Sequence, residues 1–422
     1  MSASGKLPTR VFAFVFAVSF GMRMAVAWLS GYLFHMRLTE MLLIALTLAG
    51  GHGYADPYGF NSGPTAHSTP PFPLLLAAVF AIFGAGRLGQ AVLSTMACAA
   101  SALRCALTPA FVEDAGLGRG VTIIAAVLSV LYIGALRTEV SGGVDAPLVS
   151  LSLLIIVWTS FRLWRSGDWR NRTPVGFLTF CGFSCLLNPQ VIPVIGGIFV
   201  AGVVACDTKF RRRLVLLGVT QAFCICFFLL PWGVRNWVEF DAFVPLRSNL
   251  GMELSMSNGP GRAVEMADNE KFYPTVNHEE ALKLFHAGEV EYNRQKMEEA
   301  LAWIGENPGE FARLSLLRFV AWWFPRGNAA IVFGKGALTV FAFAGLWLMW
   351  RPHRSIAVLF AVTWITLPDL YYFIHWSSRL RYPMDWQLLV CASVTLDALW
   401  RRFRRQAVAH AGTGPLAIRA IS

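Results

Sequence analysis

Apolar residues gather in long runs along this chain, separated by short polar breaks. About 20 mostly apolar residues cross a bilayer as a helix, and several runs approach or reach that length. They predict helical spans at roughly 10–33, 71–86, 89–109, 120–136, 144–163, 174–188, 190–206, 213–232, 331–350, 355–376 and 384–400. Two stretches interrupt the pattern. Residues 34–73, FHMRLTEMLLIALTLAGGHGYADPYGFNSGPTAHSTPPFP, are too polar and too rich in Gly and Pro to lie in lipid. Residues 233–330 form a second polar region, and its middle reads as helix. Asn277 can cap a helix, with Glu280 three residues on. Leu282, Phe285, Met297, Leu301 and Ile304 recur at helical spacing, with a break near Gly288. Asn307-Pro308 stops that helix and can start another, with Glu310 in its first turn. The run FARLSLLRFVAWWF at 311–324 suits an amphipathic helix lying in the membrane interface.

Composition agrees with a membrane-embedded chain. Of 422 residues, 55% are hydrophobic and 14% charged, against about 25% charged in a soluble domain. The expected fold is an all-α polytopic membrane protein of about 11–12 transmembrane helices, forming one unit over 1–422 with external loop helices. The net charge of +11 does not point to nucleic acid. The basic residues stand beside apolar runs, where positive-inside bias and anionic headgroups explain them. The eight cysteines (Cys98, Cys105, Cys181, Cys185, Cys206, Cys224, Cys226 and Cys391) carry no disulfide or metal signature and read as small core residues. Lys6 and Arg10 before the first run favour an uncleaved first span over a cleaved leader.

Basic clusters orient the spans. Arg162, Arg165, Arg170 and Arg172 mark the cytoplasmic side. So do Lys209 with Arg211–Arg213, Arg351 with Arg354, and Arg401, Arg402, Arg404 and Arg405. Counting back from the last cluster puts 377–383, 233–330 and 137–144 outside. With the N-terminus inside, loop 34–70 is outside too. Eleven spans cannot leave both ends inside, so one segment between 71 and 119 does not cross fully, or one long run crosses twice.

The polar residues that could carry chemistry then share one side. Glu40 stands at the foot of the first loop, beside the membrane, where a carboxylate could act as a general base; a solvated loop acid is the plainer reading. Glu139 in RTEVSGGVDAP is a second external acid, with Asp145 nearby, and capping a helix is the plainer role for either. In PWGVRNWVEFDAFVPLRSNLGMEL (231–254), Arg235 and Arg247 could grip phosphate, with Asn236, Ser248 and Asn249 adding hydrogen bonds. Trp232 and Trp237 suit interfacial anchors there. In SSRLRYPMDW (377–386), Arg379 and Arg381 lie outside, against the positive-inside trend, which suits an anionic ligand or lipid headgroups; His375 and Asp385 flank them. His67, Tyr54, Asn249 and Tyr382 are candidates for substrate contact. His35, His52 and His67 with Asp56 match no tight metal-ligand spacing, so no metal or other cofactor is assigned, and a divalent ion stays open.

The order of these pieces resembles the GT-C superfamily of membrane glycosyltransferases, in particular the bacterial branch related to protein O-mannosyltransferases and the lipid A aminoarabinose transferase. The pieces are TEMLLIALTLAGGHGYADPYG, GPTAHSTPPFP, PWGVRNWVEFDAFVPLRSNLGMEL, the external helix containing GEVEY, and RLRYPMDW. Many relatives carry Asp or an acidic pair in the first loop, whereas this chain has Glu40 followed by apolar residues; Asp56 is the next candidate. The resemblance implies transfer of a sugar from a polyprenyl-phosphate donor to a lipid, glycan or protein acceptor at the external leaflet of the inner membrane. It implies Glu40 as base and Arg379, Arg381 and Arg247 at the phosphate.

Two other readings share much of this pattern. A flippase of a polyprenyl-linked glycan would place ionisable residues or broken helices within its spans. Asn188-Pro189-Gln190 is the best broken-helix candidate, but it reads as a turn between two spans. A polymerase or ligase of lipid-linked glycans would differ only in the size of the unit transferred.

Overall fold

The computed structural model describes residues 9–36, 38–141, 143–166, 172–205, 208–327 and 329–412. Lys6, Arg170 and Cys206 therefore lie outside the described residues. Among the described residues the chain is helical throughout, with two isolated β-bridges, Ala55–Pro64 and Glu265–Trp376, and no strands.

The helices run in chain order. The first ten are α1 (Thr9–Leu29), α2 (Glu40–Ala49), α3 (Pro71–Phe83), α4 (Arg87–Asp114), α5 (Arg119–Leu131), α6 (Ile133–Val140), α7 (Asp145–Ser166), α8 (Arg172–Leu187), α9 (Val191–Ala205) and α10 (Thr208–Phe240). The polar region then folds as α11 (Leu250–Ser257), α12 (Met266–Asn269), α13 (His278–Ala287), α14 (Glu289–Glu306) and α15 (Pro308–Trp323). The chain finishes with α16 (Ala329–Met349), α17 (Arg354–Thr366), α18 (Ser378–Arg381) and α19 (Asp385–Gly412).

Among the described residues, five helices are long and apolar enough to cross a membrane alone: α1, α4, α7, α10 and α16. The bent pair α5–α6 makes a sixth if it counts as one span. Shorter apolar helices α3, α8, α9 and α17 fill other predicted segments. α19 has the length, but Asp385, Asp397 and its arginine-rich end raise its charge. The bundle core is apolar and aromatic, with Trp386 packed edge to face against Phe111 and Phe360. α16 lies along α19 so closely that a Cβ at Gly345 would meet the Cys391 carbonyl oxygen at 1.8 Å.

The two ends of the bundle differ. At the basic end, Asp114 pairs with Arg162 and Arg165. At the opposite end, Met36 donates its backbone N–H to Gln90 of α4, and Ser94 donates to the Tyr32 carbonyl. Phe72 and Leu76 of α3 line a cavity there with Thr39, Asp145 and Arg379. α3 thus starts at this end, and its C-terminal turn returns to the same end, where Arg87 stacks over Phe34. α3 has 13 residues, about 20 Å at 1.5 Å each, short of a hydrocarbon core of about 30 Å. Its length and its return agree with the charge count's expectation that one segment between 71 and 119 does not cross fully.

Three predicted spans end differently from the hydropathy reading. α10 runs on to Phe240, so Arg235 and Asn236 sit on its last turns. α17 stops at Thr366, because Pro368 cannot continue a helix; the chain then turns through a 3₁₀ segment, Leu370–Tyr372, toward the polar end. The segment predicted at 120–136 bends by 56° between α5 and α6. The caps follow the sequence: Asn277 accepts from the backbone N–H groups of Glu279 and Glu280, Gly288 has φ of 77°, and Pro308 opens α15.

Candidate active site

Glu40 opens α2, whose N-terminus is capped by the Thr39 hydroxyl accepting from Leu42 N–H. A carboxylate in the first turn also suits the positive end of the helix dipole. Burial pushes the Glu40 carboxyl up. Against this act His67, the Tyr273 hydroxyl approaching as a donor, and Arg379, and the balance holds Glu40 below the usual carboxylate range. His67 is buried, and its ring is bracketed by the hydroxyls of Tyr58 (3.1 Å, Nδ1) and Tyr273 (3.4 Å, Nε2). Burial lowers the His67 pKa, with Glu40 and Glu289 pulling the other way.

Glu253, which the sequence did not single out, is the second carboxyl of the site. It lies on α11, which approaches α14 so closely that a Cβ at Gly251 would meet the Asn293 carbonyl oxygen at 2.1 Å. Burial, then the charge of Glu40, pushes Glu253 up to about 7. Its hydrogen bonds fit a protonated acid. The Ser257 hydroxyl donates its one proton to the Glu253 backbone carbonyl at 2.6 Å. Ser257 Oγ must then accept from His375, both from its backbone N–H (2.7 Å) and from Nδ1 (3.2 Å). Burial lowers the His375 pKa to about 4, so the ring is neutral and Nε2 is an acceptor. Glu253 Oε2 sits 3.3 Å from that nitrogen, a contact that a carboxylic O–H satisfies. Asn249 donates to the other oxygen, Oε1, at 3.4 Å.

Two arginines face this pair. Arg379, on α18, donates to Asp145 at the start of α7, and that carboxylate raises its pKa. Arg379 also acts on Glu40 and Tyr371. Arg247 acts on Glu253, His67 and Tyr371. Its Nε is buried and has no hydrogen-bond acceptor among the described residues. Tyr371, brought in by the turn after α17, feels the charge of both guanidiniums, and the Asn188 amide approaches its hydroxyl. The Asn188-Pro189 turn between α8 and α9 therefore belongs to the site.

The other residues singled out from sequence stand elsewhere. Asp56, at φ of 54°, accepts from the backbone N–H groups of Phe60 and Ser62 and shapes the first loop. Tyr54 donates to the Ser68 carbonyl at 2.8 Å. Arg235 donates to the carbonyls of Thr65 (2.8 Å) and Tyr54 (3.1 Å), holding that loop against α10. Arg381 is buried among Asp385 (3.0 Å) and the carbonyls of Trp322 and Trp323. Glu139 is fully buried within the bundle, 2.8 Å from both Arg23 and Arg104, and accepts from the Tyr382 hydroxyl at 2.9 Å. It is thus not an external acid: α6 turns it inward. Among the described residues no group of three His, Cys, Asp or Glu side chains could hold a metal ion.

The arrangement offers an ionised carboxylate, a neutral carboxylic acid and two guanidiniums around one polar centre at the end of an apolar bundle. Such a site can remove a proton from a hydroxyl and hold a phosphate. No protein-family model matches the chain, and no curated protein sequence matches it. The crystal structure of the Archaeoglobus fulgidus oligosaccharyltransferase in its apo form is similar in fold, with a TM-score of 0.56 and 18% sequence identity. The likeness covers 98% of this chain and 52% of the archaeal protein, so the chain spans about half the length of that enzyme. At this identity it is a likeness of fold: the chain is an all-helical, multi-pass membrane protein whose fold resembles about half of that archaeal chain.

Proposed function

We propose that this chain is a membrane glycosyltransferase that moves a sugar from a polyprenyl-phosphate donor to an acceptor hydroxyl at the external leaflet of the inner membrane. The observation that carries this reading is the convergence of Glu40, Arg247 and Arg379, from three distant parts of the chain, around Tyr371 and His67. Glu40 takes the acceptor proton as the oxygen attacks the sugar carbon. Arg247 and Arg379 hold the departing phosphate, whose developing charge they stabilise. A phosphate leaves as a stable anion, so no strong acid need protonate it, unlike the alkoxide of ordinary glycoside hydrolysis. Glu253, protonated, donates a hydrogen bond without competing as a second anion. A single in-line displacement would invert the sugar carbon. The acceptor is a lipid, glycan or protein of the cell envelope.

One observation favours the alternative, a flippase for a polyprenyl-linked glycan: Arg23, Arg104 and Glu139 form a charged cluster inside the bundle, where transporters keep ionisable groups. One experiment separates the readings. Purified protein in detergent receives a radiolabelled polyprenyl-phosphate sugar and crude envelope acceptor. Transfer should occur with wild type and fall by about 10²–10⁴-fold for Glu40→Gln, the range for losing a general base. Equal transfer by both proteins would remove Glu40 from the mechanism. Label that stays on its lipid yet crosses the bilayer of proteoliposomes would make the protein a flippase.

A further inference from the structure

Glu289, the first residue of α14, is buried and takes no part in the chemistry above. Its carboxylate accepts three hydrogen bonds from two separate segments. Thr65 Oγ1 donates to Oε2, while Ser248 Oγ and the Ala66 backbone N–H (2.6 Å) donate to Oε1. The two segments also meet directly, with Ser248 N–H donating to the Ala66 carbonyl at 3.1 Å. Each segment ends one residue from a member of the candidate site. His67 follows Ala66, and its backbone N–H donates to Thr65 Oγ1 at 2.9 Å. Arg247 precedes Ser248.

We propose that Glu289 is a positioning residue, a carboxylate strut that fixes the spacing between the His67 side of the site and Arg247. The inference rests on the glycosyl-transfer reading for its purpose, but its geometry stands apart from it. The partners are matched to a carboxylate: three donors converge on two oxygens, and the amide of Gln would turn an N–H₂ toward at least one of them. The location also suits an anion, since the first-turn N–H groups of α14 put partial positive charge beside it. In this arrangement one carboxylate ties the loop that carries His67 to the loop that carries Arg247.

Hydrogen exchange on the full chain in detergent tests this. Glu289→Gln should speed exchange at Ala66–Ser68 and Ser248–Leu250 together, by about tenfold, as expected for losing roughly one charge-assisted hydrogen bond from a locally opening segment. Ser248→Ala, which cuts one tie, should loosen both segments to a smaller extent. Glu299→Gln, on the same helix but exposed, should leave both unchanged. Decaprenyl phosphate should bind Glu289→Gln about tenfold more weakly than wild type, with the melting temperature of α13–α14 unaltered. Unchanged exchange in the two segments overturns the proposal, and so does a uniform speeding of all of α13–α14, which marks a merely structural residue. If wild type does not bind decaprenyl phosphate, the glycosyl-transfer reading fails, and the exchange pattern alone decides the strut.

Discussion

Glu40 and Glu253 are the same side chain in the same site, and their surroundings push them apart. A pair split in this way supplies one ionised carboxyl and one that stays largely protonated below about pH 7. The split has a measurable consequence for stability. Glu253 is raised from 4.5 to about 7, so its contribution is complete below pH 4.5 and is lost as pH rises to about 7. His375 is lowered from 6.5 to about 4, so its contribution is complete above pH 6.5 and is lost as pH falls toward 4. Between about pH 4.5 and 6.5 the two slopes oppose each other. In Glu253→Gln only the His375 slope remains, and the melting temperature should climb with pH across that window more steeply than in wild type. Parallel curves for the two proteins would refute the protonation state assigned to Glu253. Glu40 was legible in the sequence because it heads an apolar helix after a polar break. Glu253 was not: in GMEL it looks like a solvated acid, and its burial depends on His375 and Glu40, more than a hundred residues away on either side.

At the level of elements, what changed the picture was where helices stop. Pro368 ends α17 early and delivers Tyr371 and His375 to the site. The bend between α5 and α6 turns Glu139 inward, so a residue placed outside by counting charges instead closes an ion cluster between α1 and α4. Hydropathy sees the length of a run and not the direction its side chains take after a bend. Removing Glu139 leaves two buried guanidiniums facing one another. Glu139→Ala should therefore cost about 3–5 kcal/mol of stability, the range for breaking a buried ion pair from one side. Denaturant melts in detergent would show it, and a loss under about 1 kcal/mol would mean that water reaches the cluster. Tyr382→Phe, which removes one neutral donor to the same carboxylate, should cost about 1 kcal/mol. The helices of the polar region were the most legible elements, because Asn277, Gly288 and Pro308 act through local backbone geometry that needs no distant partner.

Across the whole molecule, the polar residues of the first loop, of α11–α15 and of the turn before α19 converge at one end, and the arginine clusters at the other. The sequence supplied this sidedness through charge alone. It could not supply the number of crossings, because α3 is as apolar as a span and differs only in length and in its return. The return is testable by labelling single-cysteine variants, in a background lacking native thiols, with a membrane-impermeant maleimide. His52→Cys, Ala85→Cys and Asp268→Cys should all react from the same side of the membrane, and Arg402→Cys only from the other. Reaction of Ala85→Cys from the Arg402 side would mean that α3 crosses.

Arg247 keeps a buried Nε donor with no acceptor among the described residues. A buried polar group left unpaired costs about 1–3 kcal/mol. A phosphate oxygen that accepts from it returns that free energy only to the folded state, and ligand binding raises stability further in proportion to the logarithm of occupancy. Decaprenyl phosphate should raise the melting temperature of wild type, while Arg247→Ala should melt at least as high as wild type without it and gain little on its addition. If the proposed donor is held at Arg247, polyprenyl phosphate should also serve as a stabilising additive during purification.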